Sequence, residues 1–277
     1  MLNLEGRLPL ILQTSDQHVM PPFLSAVLNK LIFARKIGIR FTALRVIAAV
    51  LCPEYRLRYN VLDWMSDEAF NRYLELIGES APLKSVNAGR RWMVYQLIRL
   101  TENVPGDTAE CGVYQGGMSY LIASFLARSR LAKAHHLFDS FEGLSNPGSE
   151  DGSHWHEHDI TAALSVAEKL LSGFQNVYFY KGWIPTRFRE IADRQFSFVH
   201  IDVDLYQPTR DSIEFFYPRV SPGGIIICDD YGSVVCPGAI KAIDEYLQDK
   251  PEKMVKLTDG GGFLIKGVPT TDSYSPV

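Results

Sequence analysis

Four aspartates stand in two short runs, Phe-Val-His-Ile-Asp202-Val-Asp204 and Ile-Ile-Ile-Cys-Asp229-Asp230-Tyr231. Each pair follows an unbroken apolar stretch. An ionised carboxylate at the end of a buried strand has lost much of its water and persists only when paired, hydrogen-bonded or bound to a cation. The adjoining sequence offers few cations, so Asp202, Asp204, Asp229 and Asp230 read as oxygen ligands for a hard divalent ion or as acid/base groups.

The apolar runs dictate where these acids stand. Phe-Ser-Phe-Val-His-Ile and Gly-Ile-Ile-Ile-Cys do not alternate, which marks strands buried on both faces and therefore a parallel sheet. In open parallel sheets the ligand crevice lies beyond the carboxyl ends of the strands. An earlier strand end carries Glu110-Cys-Gly112-Val-Tyr114-Gln-Gly116-Gly117, whose glycines let the backbone turn sharply and approach a ligand. Its spacing departs from Gly-x-Gly-x-x-Gly, which disfavours a nicotinamide enzyme. The next strand end, Leu-Phe-Asp139-Ser140-Phe, places an acid where a carboxylate can accept both hydroxyls of a ribose. A helix cap or a loop acid is the simpler role for Asp139.

The elements that position these groups alternate after Val104-Pro105-Gly106-Asp107. Strands are expected at 108–113, 135–139, 176–180, 196–202 and 224–229, and helices at 118–127, 161–171, 185–191, 209–217 and 238–247. Two last strands, 253–258 and 262–266, are joined by a hairpin turn at 259–261. This is a doubly wound α/β domain over 105–267 with an antiparallel strand at its end, preceded by a helical region (1–104) and followed by a short tail (268–277). In the helical region, residues 22–51 are rich in helix formers, Ser66 is placed to cap a helix over 68–77, and 88–100 has an amphipathic pattern.

The 277 residues, 46% hydrophobic, suffice for a sizeable core, and a net charge of −4 gives no pull toward nucleic acid. Cys52, Cys111, Cys228 and Cys236 are scattered without CxxC spacing, which suggests neither structural zinc nor a disulfide framework. No secretory leader or membrane-spanning run is evident, so a cytoplasmic protein is expected. From 18 to 53 there are bases but no acids, interleaved with apolar residues. That pattern suits a helix lying on the inner face of a membrane, or one packed on its own domain or on a second subunit of a homo-oligomer.

Ser153-His154-Trp155-His156-Glu157-His158-Asp159 would place three histidines on one face if extended, but its setting in a long connection favours an active-site lid lining a sugar pocket. His200 reads as a satisfied core histidine, and Cys228 as a small buried residue.

Several motifs together carry a family resemblance: Pro-Gly-Asp-Thr-Ala-Glu110-Cys-Gly-Val-Tyr-Gln-Gly-Gly, Phe-Asp139-Ser-Phe-Glu-Gly-Leu, Lys-Gly182-Trp183, Asp202-Val-Asp204-Leu-Tyr-Gln-Pro-Thr and Pro-Gly-Gly-Ile-Ile-Ile-Cys-Asp229-Asp230-Tyr. Over about 104–266 the chain resembles the macrocin O-methyltransferase (TylF/MycF) family of S-adenosylmethionine-dependent sugar O-methyltransferases. The resemblance implies a class I methyltransferase fold. It also implies that the Glu110–Gly117 turn cradles the methionine part of the cofactor and that Asp139 holds its ribose. Further cofactor contacts are implied at Gly112, Tyr114, Gly116, Ser119, Ser140, Gly182 and Trp183. Asp202, Asp229 and Asp230 fall on the family's magnesium ligands, and Asp204 on its proposed catalytic base. Where the family usually has glycine between the paired acids, this chain has Val203, whose side chain is expected to narrow the substrate pocket.

The acceptor implied is a small-molecule glycoside or a glycan, and magnesium suits it chemically. Two neighbouring hydroxyls can chelate the ion, which fixes their orientation and lowers a hydroxyl pKa. A catechol-like phenol would be served by the same chelation, and a noncatalytic binding module is the remaining alternative.

Overall fold

The computed structural model describes residues 39, 41–51, 63–78, 87–258 and 260–271. Seven strands form one sheet: β1 (Asp107–Cys111), β2 (His135–Asp139), β3 (Val177–Lys181), β4 (Phe196–Ile201), β5 (Val220–Cys228), β6 (Val255–Lys256) and β7 (Gly262–Ile265), in the order β3-β2-β1-β4-β5-β7-β6. The first five are parallel, and β7 lies antiparallel between β5 and β6. All six residues of β4 are buried, as expected of a central strand covered on both faces. Strand order reverses at β1 and β4, and a crevice opens beyond such a reversal.

The helices are α1 (41–51), α2 (Asp63–Ser66), α3 (Glu68–Leu76), α4 (Ala88–Ile98), α5 (Gly117–Leu126), α6 (Leu164–Leu171), α7 (Tyr206–Phe216) and α8 (Pro237–Leu247). Alternation along the strands sorts the core into two layers. Ala109, Cys111, Val199 and Ile201 face Ile213 and Phe216 of α7 and Ala239 and Ile243 of α8. On the other face Leu137 meets Ala123 of α5 and Ala167 of α6.

The chain divides into two units, 1–66 and 67–277. In the first, α1 presents Leu44, Ile47, Val50 and Leu51 to the outside. Most of the basic apolar segment at 18–53 lies outside the described residues, as does the centre of the hairpin turn at Asp259. Among the described residues no helix is long and apolar enough to cross a membrane. The sheet-bearing unit runs from Asp67 and includes α3 and α4, which pack on α5. Tyr73 of α3 stacks on Tyr120 of α5 and donates to the Gly117 carbonyl.

Several boundaries shift for physical reasons. Asp67 rather than Ser66 caps α3, accepting from the Phe70 amide at 2.8 Å. Helix α7 starts at Tyr206 rather than 209, because Asp151, from a distant loop, accepts the Tyr206 amide at 2.6 Å. The helix expected over 185–191 is only a single 3₁₀ turn, Phe188–Ile191.

Candidate active site

At the end of β1 the chain turns through two left-handed glycines. Gly112 has φ +87°, and a Cβ there would lie 1.7 Å from the Asp202 carbonyl oxygen, so the β1 turn and the β4 end touch only because this residue is glycine. Gly116, φ +83°, opens α5. Between them the Val113 and Tyr114 amides donate to Asp139 Oδ2 at 2.7 and 2.9 Å, and the Phe141 amide donates to Oδ1 at 2.6 Å. Asp139 therefore fixes the glycine turn to the end of β2 while retaining lone pairs for a ligand.

Glu110 is buried and accepts the Ser119 hydroxyl at 2.5 Å. Its partner across the sheet is His200, with Nδ1 3.8 Å from Glu110 Oε1 and Nε2 3.6 Å from Asp229 Oδ1. Both distances exceed a hydrogen bond. His200 is fully buried, and among the described residues neither ring nitrogen has a hydrogen-bond partner, so it is not the satisfied core histidine the sequence suggested.

The ends of β4 and β5 bring Asp204 and Asp230 within 4.8 Å of each other and of the Cys236 thiol; among the described residues Asp202 and Asp229 line the same cavity but do not join Asp230 in such a three-ligand group. Asp230 Oδ2 accepts the Asp204 amide at 2.8 Å, and Asp204 itself is left-handed, φ +59°, a conformation that aspartate and asparagine tolerate best among side-chain-bearing residues. Burial and the neighbouring Asp229, Asp230 and Asp204 hold the Asp202 carboxyl well above the usual range. Burial, then Asp229, pushes Asp204 up to about 6, against the pull of the Cys236 thiol 3.6 Å from its Oδ1. Burial, then Asp204 and Asp229, pushes Asp230 up to about 7. Asp229 alone is lowered: burial works to raise it, but His200 and Arg90 outweigh that.

A cavity of about 730 Å³ joins the two regions. It is lined by Glu110, Gly112, Tyr114, Asp139, Ser140 and Trp183 on one side and by Asp202, Asp204, Asp229 and Asp230 on the other. Val203 adds to its wall. Gly116, Gly182 and Ser119 do not line it; Ser119 is buried behind the turn on Glu110.

The histidines of 154–158 do not share a face, since the segment is a series of turns rather than extended. His156 faces Asp159 at 3.5 Å, and His158 Nδ1 lies 2.9 Å from the Glu142 carbonyl oxygen. Trp155 packs on the core and donates its indole N–H to Cys236 Sγ at 3.4 Å, which ties this connection to the acid cluster. Sequence reasoning passed over Cys236 in this role, and also Arg90, whose Nη1 donates to Asp229 Oδ2 at 2.5 Å.

The reversed strand order, the glycine turn and the acids beyond β4 and β5 define the class I methyltransferase fold. Calicheamicin methyltransferase CalS11 shares it, with a TM-score of 0.60 at 19% identity, over 75% of this chain and 95% of that one. Residues 90–259 match the family model described as macrocin-O-methyltransferase (TylF), and the chain belongs to that family. It is similar to an 8-demethyl-8-(2,3-dimethoxy-alpha-L-rhamnosyl)-tetracenomycin-C 4'-O-methyltransferase of Streptomyces olivaceus, 32% identical over 51% of this chain and 59% of the relative. It is also similar to a demethyldecarbamoylnovobiocin O-methyltransferase of Streptomyces niveus, 34% identical over 52% and 59%. The chain thus spans about three fifths of the length of these relatives.

Proposed function

We propose that the protein transfers the methyl group of S-adenosylmethionine to a sugar hydroxyl of a glycosylated small molecule or glycan, with magnesium held by Asp202, Asp229 and Asp230. The observation that carries this reading is a cavity lined both by the glycine turn and by the four aspartates. Family membership and the relatives' names, one of which names a rhamnosyl compound as what is methylated, support the sugar acceptor.

The residues present fit a hard divalent ion. Asp229 Oδ1 is buried without a hydrogen-bond partner among the described residues, and burial, then repulsion from neighbouring aspartates, raises the Asp202 and Asp230 carboxyls, so a cation beside them would be stabilising. When bound, the ion supplies chelation of two neighbouring hydroxyls and lowers the pKa of one of them.

The chain's own residues do the rest. The Gly112–Gly116 turn admits the cofactor's methionine part to the backbone, and Asp139 offers its remaining lone pairs to the ribose. Asp204, whose backbone N–H donates to Asp230 Oδ2, accepts the acceptor's hydroxyl proton on its carboxylate as the carbon–oxygen bond forms and the carbon–sulfur bond breaks. The products are a methyl ether and S-adenosylhomocysteine. Trp155 and the histidines at 154, 156 and 158, expected to line a sugar pocket, are not among the residues lining the cavity; Trp155 instead donates to Cys236 beside Asp204.

Intact-mass screening of glycosylated and phenolic acceptors with S-adenosylmethionine, with magnesium or with chelator, tests this. A one-methylene mass gain on a glycoside that vanishes in chelator is expected. Turnover of phenols alone would overturn the sugar assignment, and undiminished turnover in chelator would remove magnesium from it.

A further inference from the structure

Arg90 stands in the first turn of α4, 139 positions before the acid it meets. Its guanidinium lines the same cavity as the four aspartates. Nη1 makes one short bond to Asp229 Oδ2, at 2.5 Å, while Nε is buried with no hydrogen-bond partner among the described residues. The contact is not the two-pronged fork that arginine forms with a carboxylate when pairing is optimal. The β6–β7 turn borders it closely: a Cβ at Gly260 would lie 2.7 Å from Nη2, and the flexible guanidinium would have to shift to admit it.

Charge points the same way. Burial works against the Arg90 cation, yet Asp229, Asp202 and Asp230 together more than compensate. The side chain is a cation shared by three acids and bonded to one of them. A divalent ion coordinated by Asp229, even through the unpartnered Oδ1, would stand close to the like charge that Arg90 holds on Oδ2 of the same carboxylate.

We propose that Arg90 is the resident counter-cation of the acid cluster, holding Asp229 in the ion-free protein and leaving it when a divalent ion binds, so that Arg90 sets the affinity for that ion. This rests on the proposed metal role of Asp202, Asp229 and Asp230. An ion that binds only the Arg90-released state sees its affinity reduced by the fraction of protein in that state. Removing the guanidinium lifts this penalty and leaves the ion-free cluster repelling itself.

The test is direct binding of manganese, followed by electron paramagnetic resonance in the absence of cofactor and acceptor, on wild type, Arg90→Gln and Arg90→Lys, with thermal midpoints measured in chelator. Arg90→Gln is expected to bind manganese about tenfold more tightly than wild type, in the range usual for coupled sites. Its midpoint in chelator should be lower and should recover more than the wild type's on adding manganese. Arg90→Lys, which keeps a cation, should fall between the two, and it serves if the glutamine variant does not fold. Binding in wild type with equal or weaker affinity in the folded variants would overturn the Arg90 proposal while leaving the metal site standing. No binding in any of the proteins would overturn both.

Discussion

At the ends of β1 and β2, Asp139 accepts three backbone N–H groups and Glu110 accepts the Ser119 hydroxyl. At the ends of β4 and β5, the carboxyls of Asp202, Asp204 and Asp230 are raised by burial and then by the charge of neighbouring aspartates, Asp229 among them. Both sets border one cavity. The first set is satisfied by the protein itself and so gives shape: it pins a strained turn to its neighbouring strand. The second is left short of positive charge, and such a cluster is stabilised by whatever cation enters, whether Arg90 or a metal.

The sharpest way to break the contrast is at Asp204. Asp204→Asn keeps size and tolerance of the left-handed backbone while removing the base, so kcat should fall by ~10²–10⁴, or roughly 3–5 kcal/mol on the barrier. KM and cofactor affinity should hold, and steady-state kinetics with calorimetry will show whether they do. Near-normal kcat would make Asp204 a structural acid rather than the base.

The next effect belongs to the shaping region. Gly112→Ala drives a Cβ into the Asp202 carbonyl at a left-handed position, and the loss of stability should exceed about 3 kcal/mol by urea unfolding. A variant of wild-type stability would show that the two strand ends can part without cost.

Asp139→Ala leaves the Val113, Tyr114 and Phe141 amides without their acceptor. It should cost about 1–3 kcal/mol and weaken S-adenosylmethionine binding about tenfold, read by denaturation and calorimetry. A variant that loses affinity with stability intact would mean that Asp139 serves only the ribose.

The smallest effect is on pH dependence. An unfolded aspartate titrates near 3.9, whereas Asp204 and Asp230 are raised to about 6 and about 7. Between those values the folded protein binds more protons than the unfolded chain, so the contribution of these groups is fully present below about 4 and is lost as pH rises through 6 to 7. The gain in thermal midpoint on replacing chelator with magnesium should therefore grow from pH 5 to pH 8. A gain independent of pH would disconnect the ion from these acids.

Much of this was legible locally. The continuous apolar runs gave β4 and β5 their burial and parallel setting, and β2 took the bounds its pattern indicated. The acids then had to fall at strand ends, and the Gly112 and Gly116 turn between β1 and α5 followed from glycine's freedom at positive φ. Less legible were the ends of elements held by remote groups, such as α7, whose first amide is capped by Asp151 from 55 residues away.

The sequence by itself determined the sheet, the crevice and the four carboxylates, because hydrophobic periodicity and turn chemistry act over a few neighbouring residues. Only the tertiary structure decided which of those carboxylates are satisfied. Arg90 on Asp229, His200 between Glu110 and Asp229, and Trp155 on Cys236 beside Asp204 join residues far apart along the chain. Electrostatic partnership depends on distance in space and leaves no periodic trace in the order of residues.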